Sequence, residues 1–168
     1  MTNGNHEINE KAPTRLADLV GQKSVLAQVQ VALDAAHHDG TKFSSALLTG
    51  AAGLGKSQLA SVVAQEMGTD FIEVLGQSIR EPADLNAILL SASDRAVVHF
   101  DEAHELDKEF QVALYLAIDK RKVLLTTRSS RGPQAIPLAD FTLLLSTTDE
   151  YALLQPLRDR MKLVLRFT

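Results

Sequence analysis

The chain contains no cysteine. That removes disulfides, thiolate zinc sites and a cysteine nucleophile, and it fits a reducing cytosol. No stretch reaches the run of about 18 apolar residues that a membrane helix needs. The start, Met1 to Lys11, has none of the apolar core of a signal peptide. A cytoplasmic protein without a membrane partner is expected. An excess of positive charge is missing as well: 17 basic against 21 acidic residues leave a net charge of −4, so the chain as a whole does not read as a polyanion binder. Neither a repeat nor a low-complexity tract is present.

What remains is ordinary globular material. The 168 residues, 45% hydrophobic and 23% charged, suit one domain with a sizeable core. Residues 1–12 are polar and aperiodic and read as a tail; residues 13–168 carry the pattern of a folded domain. Val25, Leu26, Val29, Leu33 and Ala36 recur at helical spacing. Ser45–Thr49 is a short apolar run that stops at a glycine cluster, and helical period resumes after Gly55 until Gly68. Strand-like runs follow at Phe71–Leu75, Ala96–Phe100, Thr142–Ser146 and Leu163–Phe167. Helices are predicted at Pro82–Ser91, after Asp107 as a cap, and around Leu153–Arg160. Val123–Thr127 and Gln134–Leu138 flank an Arg131-Gly132-Pro133 turn and suggest a hairpin. Five apolar strands interleaved with helices predict a mainly parallel sheet covered on both faces, with its ligand site at the carboxyl ends of the strands.

The chemistry-bearing residues lie at those strand ends. Gly50-Ala51-Ala52-Gly53-Leu54-Gly55-Lys56-Ser57 fits GxxxxGK[ST] completely and stands between a predicted strand and a predicted helix. Its backbone amides can surround an anion, Lys56 can reach the β and γ phosphates, and Ser57 can ligate magnesium. Val97-Val98-His99-Phe100-Asp101-Glu102 is an apolar strand ending in two carboxylates. Asp101 can hold magnesium through water, and Glu102 can act as general base on a water. Ser146-Thr147-Thr148-Asp149 brings hydroxyls to another strand end. Thr147 or Thr148 can bond a phosphate or the attacking water, or be satisfied by local backbone. Arg158 and Arg160 precede the last strand; either arginine can neutralise a phosphoryl group in a neighbouring subunit or pair at the surface with Asp159. His99 and His104 lack the spacing and the third ligand of a metal site, and His37 and His38, which close a helix, read as structural. Five basic residues between Lys120 and Arg131 form either a solvated face or a docking surface.

In this order the motifs resemble the AAA+ ATPase family, most closely the N-terminal ATPase domain of RuvB-type Holliday-junction branch-migration helicases, over Pro13 to Phe167. The resemblance implies a three-layer α/β P-loop NTPase core with a five-stranded, mainly parallel sheet and a hairpin inserted before the sensor 1 strand. It implies that Val20 and Gly21 border the adenine of ATP or ADP, and that Ala52, Gly53, Leu54, Gly55, Lys56, Ser57 and Gln58 cradle the phosphates. Ser57 and, through water, Asp101 would hold Mg²⁺, Thr148 would be sensor 1, and Arg160, with Arg158 second, the arginine finger. A ring of identical subunits, often hexameric, is implied, as is a junction-binding partner protein at the 123–138 hairpin. DNA would be met through a winged helix which, like the helical lid, lies outside this chain. The chain departs from the family at Ala51-Ala52 in place of two prolines, at Ser57 in place of threonine, and at Asp149 in place of arginine. The expected function is an Mg-dependent ATPase core of a branch-migration motor; the alternative is a nucleotide-binding interaction module or switch with little hydrolysis of its own.

Overall fold

The computed structural model describes residues 12–129 and 131–168; the tail expected over residues 1–12 lies, apart from Ala12, outside them. Along the chain the elements are α1 (Lys23–Asp39), β1 (Ala46–Thr49), α2 (Lys56–Met67), β2 (Phe71–Leu75), α3 (Pro82–Ser91), β3 (Val97–Asp101), α4 (Lys108–Lys120), β4 (Lys122–Leu125), β5 (Gln134–Pro137), β6 (Thr142–Thr147), α5 (Gln155–Asp159) and β7 (Leu163–Arg166). Five strands form one sheet in the order β2-β3-β6-β1-β7, every neighbouring pair parallel.

Strand alternation divides the core into two layers. Leu47, Val98, Phe100, Leu143 and Leu145 point to one face, where Leu85 and Leu89 of α3, Phe110 and Leu114 of α4 and Leu157 of α5 cover them. Ala46, Leu48, Val97 and Leu144 point to the other face, under Val25, Val29 and Leu33 of α1 and Leu59, Val62 and Val63 of α2. A parallel sheet buried on both sides needs such continuous apolar runs, which is why β1, β3 and β6 are apolar along nearly their whole length.

Local signals set the ends. Pro82 opens α3, and the Asp84 carboxylate accepts from the amides of Arg80 and Glu81 at 3.0 and 3.1 Å. Asp107 stands at the N-cap of α4 as expected, but its side chain makes no cap bond. The first turn closes instead on its backbone carbonyl, which takes the Phe110 amide at 2.9 Å. Between α4 and β6, β4 and β5 pair antiparallel from Lys122–Pro137 to Leu125–Gln134, burying Val123. Arg121 at the foot of this hairpin pairs with Asp140 at 3.0 Å. Among the described residues no helix is long and apolar enough to cross a membrane.

Candidate functional site

The carboxyl ends of β1 and β3 open on a cleft of about 330 Å³ lined by Ala52, Gly53, Gly55, Lys56, Ser57, Gln58, Asp101 and Glu102. The loop after β1 turns into α2 at Gly55, whose φ of 91° is costly for any residue with a Cβ. Lys56, the first residue of α2, is only 5% exposed. Its ammonium donates to the carbonyls of Gly50 and Ala51, both at 2.7 Å, and among the described residues no carboxylate lies within ion-pair distance. A cation withdrawn from water normally has an anionic partner. Here it sits beside the amino end of a helix, where the unpaired amides and the helix dipole also favour an anion.

One residue further on, Ser57 Oγ donates to Asp101 Oδ2 at 3.2 Å. Asp101 is on the same sheet face as Val97, which is the α2 face, so alternation along β3 aims its carboxylate at the serine. A hydroxyl and one carboxylate fit Mg²⁺, a cation that keeps several waters and completes its shell with substrate phosphates.

Glu102 leaves the strand in a left-handed conformation, φ 50° and ψ 50°. Its amide bonds Asp101 Oδ1 at 3.0 Å, and its carbonyl accepts from the Glu105 amide at 2.9 Å. Past this turn its carboxylate meets His104, whose Nε2 is 3.3 Å from Glu102 Oε2. The other nitrogen of His104 is 2.9 Å from Thr147 Oγ1 at the end of β6.

The hydroxyls at the end of β6 divide. Thr147 is fully buried, donates to the Asp149 carbonyl and accepts from the Asp149 amide, both at 3.0 Å. Thr148 is exposed. Ser146 is buried on the other face and bonds His99 Nε2 at 2.6 Å, while His99 Nδ1 lies 3.4 Å from Glu73 Oε2. Burial holds the His99 imidazole below its ordinary value, against the opposing pull of Glu73 and Asp101.

Val20 and Gly21 line a hollow beside the phosphate loop with Leu54, Gln58 and Phe167. Val20 is 97% exposed, an apolar side chain left open at the rim. The two arginines are elsewhere. Arg160 is bound to Asp119 of α4 through two nitrogens and lies over the Tyr115 ring at 4.8 Å. This bond holds the Asp119 carboxyl below its ordinary value. Arg158 lies 5.2 Å over the Tyr151 ring, and its buried Nε has no hydrogen-bond partner. Among the described residues neither forms an ion pair with Asp159, and no arginine lines the cleft.

Sequence reasoning thus located the cleft but missed the two histidine bridges. Nothing in the local pattern marks them, because their partners on β6, Ser146 and Thr147, lie more than 40 residues away.

Comparison with known proteins agrees with this fold. Residues 11–167 match the family model of the Holliday junction DNA helicase RuvB P-loop domain. The RuvB subunit of the Holliday junction branch migration complex of Koribacter versatilis is 35% identical over 156 residues, which are 92% of this chain and 43% of that protein. Its counterpart from Acidothermus cellulolyticus is 38% identical over 150 residues, 88% and 41% of the two chains. The solved structure of the Thermotoga maritima RuvB Holliday junction branch migration motor superposes with a TM-score of 0.81 at 31% identity, covering 93% of this chain and 48% of that one. The chain spans less than half the length of these relatives.

Proposed function

Because the chain belongs to the RuvB P-loop domain family, we propose that it is the ATP-binding, Mg²⁺-dependent ATP-hydrolysing core of a RuvB-like motor that acts in Holliday-junction branch migration. The observation that carries this reading is the convergence of Lys56, Ser57, Asp101 and Glu102 on one cleft at the strand ends. Lys56 would exchange the two loop carbonyls for the β and γ phosphates, a stronger, charge-assisted pair. Ser57 and Asp101, already 3.2 Å apart, would hold Mg²⁺, the latter through water. The ion, when bound, supplies charge neutralisation on the phosphate oxygens. Glu102 is the general base: held by its turn and by His104, its carboxylate accepts a proton from the attacking water. Thr148 serves as sensor 1, and Val20 and Gly21 border the adenine.

A charge-neutralising arginine is not part of the cleft wall, so Arg160, with Arg158 second, is assigned to the cleft of a neighbouring identical subunit in a ring. The 123–138 segment, which holds all but the first residue of the β4–β5 hairpin, is the candidate face for a junction-binding partner protein, and DNA would be engaged through domains outside this chain.

Two variants test the reading. Lys56→Ala is expected to abolish ATP binding measured by nucleotide-dependent fluorescence. Glu102→Gln is expected to keep binding and lose turnover by about 10²- to 10⁴-fold, the contribution of a general base. Unchanged turnover in either variant sinks the assignment. Turnover that rises steeply with protein concentration marks an assembling motor. Nucleotide-stabilised melting with negligible turnover at every concentration marks the switch instead, a reading favoured by the lack of an arginine at the cleft.

A further inference from the structure

His104 has both ring nitrogens engaged, and each engagement joins a different part of the candidate machinery. Nε2 is 3.3 Å from Glu102 Oε2 and 3.6 Å from Glu105 Oε1; Nδ1 is 2.9 Å from Thr147 Oγ1. The ring is four-fifths buried, so it lies in a fixed slot and not on an open surface. Glu102, by contrast, keeps 36% of its side chain exposed, and His104 is the one side chain among the described residues that is paired with its carboxylate. A glutamate otherwise free to sample its rotamers is thereby confined near one orientation.

Thr147 adds a second property. Its hydroxyl carries one proton and has two acceptors within reach, the Asp149 carbonyl at 3.0 Å and, when Nε2–H is donated to Glu102, the bare Nδ1 at 2.9 Å. Asp149 also donates its amide to that oxygen, and its own carboxylate caps the following turn through the Tyr151 amide at 3.1 Å. A shift of the tip of β6 therefore alters what Nδ1 meets, and with it the hold of Nε2 on Glu102.

We propose that His104 is a positioning residue: it orients the Glu102 carboxylate and makes that orientation depend on the β6 tip at Thr147 and Asp149. The coupling runs through one rigid ring, so it needs no movement of β3 itself. The inference rests on Glu102 being the general base, whereas the physical link from His104 to Glu102 and Thr147 stands apart from that reading and is measured separately.

The link is read by long-range ¹H–¹⁵N spectra of the histidine rings in the full chain. Glu102→Gln and Thr147→Val are each expected to move the His104 ring nitrogens while leaving those of His37 and His38, exposed on α1, in place. A His104 signal indifferent to both substitutions overturns the proposal. The consequence is read by kinetics in a preparation whose turnover Glu102→Gln abolishes. There His104→Ala should lower kcat about 10- to 100-fold, the cost of misplacing a reacting group by around 1 Å, with the nucleotide Kd unchanged within about twofold. Added to Glu102→Gln, it should cost nothing further. His104→Gln, whose amide can still reach Glu102, should recover part of the loss, which a purely structural role would not predict. A wild-type kcat in His104→Ala, or a full additional loss on top of Glu102→Gln, overturns the proposal. Unchanged turnover in Glu102→Gln would instead remove the general-base reading and leave the spectroscopic link intact.

Discussion

Gly76 follows β2 and packs against the turn that carries Glu102. A Cβ built on it would stand 2.4 Å from the Glu102 carbonyl oxygen, 3.2 Å from its carbonyl carbon and 3.4 Å from the Leu106 amide nitrogen. Real Cβ contacts essentially never close below 3.0 Å, so in Gly76→Ala one of the two backbone segments must move by 0.6 Å or more. Neither can yield as a flexible side chain would. The Glu102 carbonyl is tied to the Glu105 amide, and the Ile79 amide is tied to the Gly76 carbonyl. Overpacking of this kind costs about 1 to 3 kcal/mol, which for a chain of this size is a drop in melting temperature of roughly 2 to 12 °C. The displaced segment bears the proposed general base, so kcat should fall by about 10- to 100-fold while nucleotide affinity, which belongs to the loop after β1, is retained. The control is Val29→Ala in α1, fully buried in the opposite layer. It should cost a comparable sum, about 2 kcal/mol for two methyl groups and the cavity they leave, yet keep kcat per folded molecule. If Gly76→Ala melts within about 1 °C of the parent and turns over normally, the close approach does not constrain Glu102 and the reasoning fails.

Two further outcomes are expected. Burial keeps His99 below its ordinary value, so just below pH 6.5 the unfolded chain binds protons that the folded chain refuses. Stability should therefore fall as the pH is lowered from about 6.5 toward the depressed folded value, with a slope of at most about 1.4 kcal/mol per pH unit. His99→Gln, melted alongside without nucleotide, should lose that slope, and identical pH profiles for the two proteins would refute it. For the arginines, Arg160→Ala should keep nucleotide binding and lose assembly-dependent turnover. An equimolar mixture of Arg160→Ala and Lys56→Ala should regain about a quarter of parental turnover, because about one junction in four then combines an intact cleft with an intact finger. No recovery on mixing, in assemblies shown to exchange subunits, would rule out action between subunits.

Much of the framework was legible because each signal was local. Phe71–Leu75 and Pro82–Ser91 are found at the boundaries predicted for them, the first from its apolar, β-rich run and the second from a proline in its first turn. The phosphate loop was legible for the same reason, as eight consecutive residues carry it. What escaped were contacts made by sheet register. His99 sits in an apolar run, and only the pairing of β3 with β6, which sets His99 beside Leu144 and so next to Ser146 on the same face, shows why a polar ring is tolerated there. His104 was equally opaque, since a turn has no periodicity from which to read its direction. The Asp107 side chain shows the opposite failure. A favourable cap residue stands at the right position, yet the backbone alone closes the turn.

Register also explains why the two histidine bridges do different work. Ser146 and Thr147 are adjacent on β6 and so point to opposite faces of the sheet. Ser146 meets His99 on the face covered by α2, the face of Asp101 and Ser57; Thr147 meets His104 on the face covered by α3, α4 and α5. The first bridge runs on to Glu73 of β2 and ties three strands together beneath the proposed metal ligands. The second ends on Glu102 and reaches the helical layer that also carries Arg160, through α4 and its Asp119. Arg160 is held there by a half-exposed pair with Asp119, by the Pro156 carbonyl and by the Tyr115 ring; the proposed action on a neighbour's phosphate requires that it give up this pair, which water and salt partly screen. On the proposed reading, one face of the sheet thus holds Ser57 and Asp101, the residues that would hold Mg²⁺, and the other holds Glu102 and Arg160, the residues that would answer to a neighbouring subunit.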